Sequence, residues 1–210
     1  MESPEDGDIT NRETVTVTGS VEEENLDELT VNGTAVEVDD DGNFSHRVLL
    51  DLGENEIVVE ATDLAGNTTT ESVTIRAGFE APTIENVQPS EDRHLDAGET
   101  VTISFDSVSG LDASFSIRMP LINDPSNVVE LPMRETSDGH YVGYWTAISN
   151  AVAEGAQIEI RATDEFGNEV RETADGKLYI NTPSDDEPTP SEPRAVIDMR
   201  HRLILARASY

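Results

Sequence analysis

Apolar side chains recur at every second position through most of this chain, the pattern of β-strands that bury one face and wet the other. Val15 and Val17 alternate with Thr14, Thr16 and Thr18, and Val101, Ile103 and Phe105 alternate with Thr102, Ser104 and Asp106. Phe115, Ile117 and Met119 share one face, as do Val129, Leu131 and Met133. Before residue 194 no segment carries the spacing of a long amphipathic helix, so the pattern predicts an all-β chain. Asn32-Gly33 stands between Leu29-Thr30-Val31 and Thr34-Ala35-Val36. Both turn residues accept positive φ there, which predicts a two-residue hairpin.

The strands are organised by an internal repeat. Ala61-Thr62-Asp63-Leu64-Ala65-Gly66-Asn67 returns as Ala162-Thr163-Asp164-Glu165-Phe166-Gly167-Asn168, with Asp63 and Asp164 standing 101 residues apart. That offset is about the length of one immunoglobulin-like β-sandwich. Each copy follows one strand-like run and precedes another, so it marks the turn between the last strands of a module. Asp63, Gly66, Asn67, Asp164, Gly167 and Asn168 are expected as structural turn residues: Asp bonds its own turn backbone, and Gly takes a conformation other residues avoid. A cation bound by the two Asp/Asn pairs is the alternative. The fold expected is two tandem immunoglobulin-like β-sandwich domains, at residues 14–77 and 82–180, joined by a short linker at 78–82. Residues 1–13 read as a disordered acidic N-terminus and 181–193 as a Pro/Ser/Thr/acidic stalk. Residues 194–210 form a basic tail that departs from every other segment. A basic amphipathic helix and a non-native or frameshifted segment both account for it.

Charge narrows the function classes. The 210 residues carry 44 Asp and Glu against 13 Lys and Arg, a net charge of −31, with Lys177 the only lysine. Such self-repulsion opposes compaction in dilute buffer and is relieved by salt, whose screening length falls to ~3 Å at 1 M. The composition therefore resembles that of proteins from extreme halophiles. It also argues against nucleic acid, whose phosphates would be repelled. Cysteine is absent, which removes disulfides and thiolate chemistry. No apolar run reaches the ~20 residues of a membrane span, and Met1 leads into Glu-Ser-Pro-Glu-Asp rather than a signal peptide. With 36% hydrophobic and 5% aromatic residues, the cores are thin and aliphatic.

Two stretches carry family resemblances. Val15-Thr16-Val17-Thr18-Gly19, Leu29 to Gly33, Asp41-Gly42-Asn43-Phe44, Gly53 to Ile57 and Ala61 to Asn67 together resemble the bacterial Ig-like repeats of the glucodextranase B-domain type. Gly110 to Leu121, Leu131 to Thr136 and Gly139 to Thr146 are similar to the C-terminal accessory region of bacillopeptidase F-like secreted subtilisin-family proteases. The resemblance implies an extracellular or cell-surface setting beside a protease domain. The Asp, His and Ser motifs of that protease family are not in this sequence, so its activity does not carry over.

Candidate chemistry is sparse. Asp39, Asp41 and Asn43 crowd oxygen ligands as calcium prefers, yet no acidic residue closes the loop at EF-hand spacing; a solvated turn explains them equally. Asn32, Asn43 and Asn67 head Asn-x-Ser/Thr acceptor patterns for glycosylation. Tyr141, Tyr144 and Trp145, beside His140, could stack sugar rings, or Trp145 could serve the core. No nucleophile elbow, zinc helix or phosphate loop is present, and 44 carboxylates make any pairing for glycoside hydrolysis uninformative. The function expected is a non-catalytic accessory region, acting as spacer, adhesion or substrate-presenting surface, of a secreted or cell-surface protein of a halophile, linked to a subtilisin-like protease or a surface glycoprotein, with no required cofactor beyond the calcium candidate. Its partners would be the neighbouring domain of a parent polypeptide and a cell-envelope glycan or protein substrate. The alternatives are a carbohydrate-binding module using the aromatic cluster, and an enzyme whose site is unrecognised.

Overall fold

The alternation becomes seventeen strands and no helix among the residues described, which are 1–23, 25–119 and 130–182 of a computed structural model. The first module contains β1 (Ile9–Thr10), β2 (Thr14–Ser20), β3 (Leu26–Val31), β4 (Thr34–Ala35), β5 (Asn43–Leu49), β6 (Gly53–Asp63) and β7 (Thr68–Ala77). One sheet runs β1-β7-β6-β3-β4, and it faces a two-stranded sheet of β2 and β5. The inward alternates of both meet as a core of Val17, Leu29, Val31, Phe44, Ile57, Val59 and Ile75. Asn32 and Gly33 take φ of 50° and 74°, and Val31 pairs with Thr34 across them, so the hairpin is as the sequence predicts.

The second module contains β8 (Glu85–Gln88), β9 (Arg93–Leu95), β10 (Thr100–Asp106), β11 (Asp112–Arg118), β12 (Glu130–Pro132), β13 (Arg134–Ser137), β14 (His140–Thr146), β15 (Ala153–Thr163), β16 (Glu169–Thr173) and β17 (Leu178–Ile180). Its sheets run β13-β14-β10-β8 and β12-β11-β15-β17-β9, with β16 also on β15. The core joins Val101, Ile103 and Phe105 to Phe115, Tyr141, Ile158, Ile160 and Leu178. The chain is thus two tandem immunoglobulin-like β-sandwiches, each with its own core.

Three details depart from the sequence reading. Residues 1–13 are not a disordered lead. Thr18 donates its amide to the Ser3 carbonyl at 2.9 Å and accepts from the Glu2 amide at 2.8 Å. Pro4 is buried, and β1 lies parallel to β7 through Ile9↔Arg76 and Thr10↔Ala77. Main-chain pairing holds this segment, and main-chain pairing leaves little hydrophobic signature. The linker belongs largely to the first module: Gly78 donates to the Thr10 carbonyl at 2.9 Å, and Phe79 packs on the first core. In the second core the large aromatic is Tyr141 rather than Trp145. Tyr141 is 1% exposed, stacks on Phe105 at 4.8 Å and interplanar 9°, and bonds both Val108 and Leu111, whereas Trp145 packs half-buried at the core's margin. The expected stalk and basic tail lie outside the described residues, except Asn181 and Thr182.

Candidate functional site

Three turns of one design punctuate the chain. In the turn from Asp63 to Asn67, one carboxylate oxygen of Asp63 accepts the amides of Ala65 and Asn67, both at 2.8 Å, and the other accepts Asn67 Nδ2 at 2.7 Å. Asp164 does the same with Phe166 and Asn168, at 2.9, 2.8 and 2.8 Å. The loop at Asp39 is a third copy that the sequence comparison overlooked: Asp39 accepts Asp41 and Asn43 amides at 3.0 and 2.8 Å, and Asn43 Nδ2 at 3.3 Å. Gly42, Gly66 and Gly167 supply φ of 86°, 84° and 87°, which a side chain would resist. The shared Asp-x-x-Gly-Asn spacing was the available signal. The turn amides stabilise the charged carboxylate: Asp39 is held below its ordinary value chiefly by the Asn43 amide, and Asp63 chiefly by the Asn67 side chain.

This geometry bears on the calcium candidates. Both carboxylate oxygens of Asp39 already accept hydrogen bonds, while Asp41 enters through its main-chain amide. Among the described residues no group of three or more His, Asp or Glu is gathered to hold a metal ion. The three acceptor asparagines also differ. Asn43 and Asn67 tie Nδ2 into their turns. Asn32 instead accepts the Val58 amide on Oδ1 at 2.8 Å, and its side chain is exposed.

The aromatic candidates do not form one platform. Strand alternation on β14 turns Tyr141 and Trp145 inward and Tyr144 outward, where it is 65% exposed. His140 Nδ1 lies 2.6 Å from Asp106 Oδ1, and Asn86 Nδ2 donates to Asp106 Oδ2 at 2.9 Å. Those two bonds, the histidine's first, lower the Asp106 carboxyl. An open cleft of about 420 Å³ lies at the end of the first module beside Asp63 and Asn67, floored by Leu26, Leu29, Phe44 and Val59.

Two constellations escaped the sequence reading because their members meet across long stretches of chain. The first is the joint between modules. The Phe166 ring lies on Gly78 so closely that an added Cβ would fall 2.4 Å from it. Arg76 covers the ring at 5.3 Å and pairs with Glu165, while Asn168 Nδ2 donates to the Gly78 carbonyl at 2.6 Å. The second is a chain of alternating charges on the outer face of β11, β12, β15 and β16. It runs Arg118–Glu159 at 2.7 Å, Glu159–Arg171 at 3.3 Å, Arg171–Glu169 at 2.7 Å, Glu169–Arg161 at 2.6 Å and Arg161–Glu130 at 3.3 Å. Its mutual hydrogen bonds lower Glu169 and raise Arg161 and Arg171. Its three arginines balance its three glutamates, in a chain whose net charge is −31.

Comparison with known proteins gives a family match on the first module. Residues 1–79 match the family model described as glucodextranase, domain B. Over 185 residues, 87% of the chain, the sequence is 50% identical to Bacillopeptidase F of Bacillus subtilis (strain 168). Over 81 residues, 38% of the chain and 4% of the relative, it is 40% identical to the PII-type proteinase of Lactococcus lactis subsp. cremoris. The chain spans only 13% of the length of Bacillopeptidase F. Among solved structures, the I-band fragment I67-I69 from titin superposes with a TM-score of 0.56 at 11% identity, over 84% of this chain and 63% of that one, a likeness of fold alone. Among the described residues no helix is long and apolar enough to cross a membrane.

Proposed function

Because the first module matches the glucodextranase domain B family and most of the chain is half identical to one stretch of a bacillopeptidase, we propose that it is a non-catalytic accessory region of a larger extracellular or cell-surface protease. Two sandwiches in series hold a neighbouring domain at a set distance and expose strand edges and loop ends to substrate or envelope. The observation that carries this reading is the joint: Phe166, Arg76, Glu165 and Asn168 fasten the second module to Gly78, so the pair acts as a strut rather than as two beads on a string. The polar clusters described close turns and pair charges on one sheet face, which supports a task other than catalysis. The charge of −31 suits a strongly saline setting, where screening removes the repulsion between surface carboxylates. Should the chain be glycosylated, Asn32 is the acceptor, because its Nδ2 lies outside the turn bonds that engage Asn43 and Asn67. Peptide mapping of protein from a glycosylating host checks this, and a glycan on Asn43 or Asn67 with Asn32 bare contradicts it.

The accessory role is tested in Bacillopeptidase F itself. Deleting the matching stretch should leave kcat/KM on a small chromogenic peptide within about twofold, a loss of under ~0.5 kcal/mol, while slowing hydrolysis of a large protein substrate. Inserting this chain at that place should restore the second activity. If deletion leaves both activities unchanged, or abolishes both, the accessory reading fails.

A further inference from the structure

The two modules differ at one edge. In the second, β13 closes the edge of β14 as an antiparallel strand, through Arg134↔Val142 and Glu135↔Tyr141. In the first, the equivalent pair of β2 and β5 stands alone as a two-stranded sheet. The far side of β2 is met by the chain's own lead, through Ser3 and Thr18. Among the described residues the far side of β5 is bridged only at Phe44, by Val38. From Ser45 to Leu49, among the described residues, β5 has no strand neighbour but β2.

Ladder alternation shows which groups are open. Thr18 turns its amide and carbonyl toward Ser3. Its partner Ser45 therefore points away from β2, and with a period of two so do Arg47 and Leu49. The Arg47 amide and carbonyl and the Leu49 amide lie along a free edge, while Phe44, His46 and Val48 direct theirs to β2. Natural sheets blunt such edges with bulges, proline, short length or covering strands, because a bare edge templates pairing. Here, among the described residues, only the Arg47 charge stands in the way.

The side chains around the edge define the partner. Thr14, Thr16 and Thr18 of β2 share the outward face with Ser45, Arg47 and Leu49 of β5. In a chain with 44 Asp and Glu, this face holds no carboxylate, one arginine and a leucine that is 76% exposed. The second module displays what fits: a short, extended, antiparallel strand whose four residues, Arg134 to Ser137, are all exposed and so need no apolar socket. We propose that the β5 edge of the first module takes an extended polypeptide segment as an added antiparallel strand, with a carboxylate opposite Arg47 and an apolar side chain against Leu49. Main-chain hydrogen bonds supply the affinity, and these two side-chain contacts supply the selection. The edge would thus hold an unfolded stretch of protein beside whatever domain the strut supports, an activity that a spacer does not require.

The test uses the full ¹⁵N-labelled chain and a capped synthetic peptide of nine residues, alternating valine with threonine around a central glutamate. Saturation should slow exchange of the Arg47 and Leu49 amides at least about tenfold, a protection of ~1.4 kcal/mol, and confine shift changes to β2 and β5. Arg47→Pro removes the outward donor without breaking a bond to β2 and should abolish protection. Arg47→Glu, at an exposed position, keeps the strand and should weaken binding up to about fivefold, as loss of an exposed ion pair does. A peptide N-methylated at alternate amides should not bind. Protection mapping to another edge, no protection at all, or equal binding by Arg47→Glu and by the methylated peptide overturns the proposal. None of these results touches the strut role, which the deletion and graft in Bacillopeptidase F decide separately.

Discussion

Replacing Phe166 by alanine should release the two modules from one another while leaving each folded. The ring is half-buried against Gly78 and lies under Arg76 at 5.3 Å. Burying a whole phenylalanine is worth ~1.5–3 kcal/mol, so half of it contributes about 1 kcal/mol. An exposed cation–π contact adds ~0.5–1 kcal/mol. The Arg76–Glu165 pair is exposed on both sides and contributes less than ~1 kcal/mol by itself, and the Asn168 bond to Gly78 remains. The substitution should therefore weaken the joint by about 1.5 kcal/mol, roughly a tenfold rise in the open fraction. Amide ¹⁵N relaxation reads this directly. Wild-type protein should give one tumbling time for both modules, and Phe166→Ala two shorter, unequal times with shifts unchanged away from the joint. Gly78→Ala should act in the same direction, because its Cβ would meet the ring at 2.4 Å. The double variant should fall short of additive, since alanine at 166 removes that clash. Identical relaxation in wild type and Phe166→Ala would refute the reasoning.

Further consequences follow from charge and packing. Raising KCl from 0.1 to 2 M should raise Tm by about 5–10 °C, corresponding to ~1–2 kcal/mol of relieved repulsion; a fall in Tm on salt titration would mean that the arginine–glutamate face outweighs the net charge. The folded Asp63 carboxyl lies below its ordinary value of 3.8, so its contribution is present above pH ~4 and is lost as pH falls through the lower folded value. Asp63→Asn should therefore be less stable than wild type at pH 7, with the gap closing below pH ~4 in urea titrations; a gap constant from pH 7 to 2 contradicts that. Gly143→Ala should cost ~1–3 kcal/mol by overpacking, since its Cβ would lie 2.6 and 2.9 Å from the Phe115 ring and 3.1 Å from Met133. Thermal denaturation checks this, and Phe115→Leu in the same chain should recover part of the loss.

Much of the fold could be read from local pattern, because strands and turns write themselves into neighbouring residues. The Asn32-Gly33 hairpin and the Asp63 and Asp164 turns bond within five residues of themselves. The segment ahead of β2 leaves little trace in the apolar pattern because its main chain, rather than apolar side chains, fastens it at Thr18 and β7. The sequence offers Tyr141, Tyr144 and Trp145 as one cluster, but the inward alternates of β14 place Tyr141 at the centre and Trp145 at the margin. The joint was invisible for a different reason. Arg76 and Glu165 are separated by 89 positions, and nothing local to either says that they meet. The uncovered edge of β5 was likewise hidden, since it is defined by a strand that the second module has and the first lacks.

The most direct test of the account is incubation of the purified chain alone with unfolded casein, followed by mass spectrometry of the products, with Bacillopeptidase F as positive control. A non-catalytic strut predicts no new peptides at any protein concentration. Cleavage that scales with the amount of chain and survives repurification would contradict it.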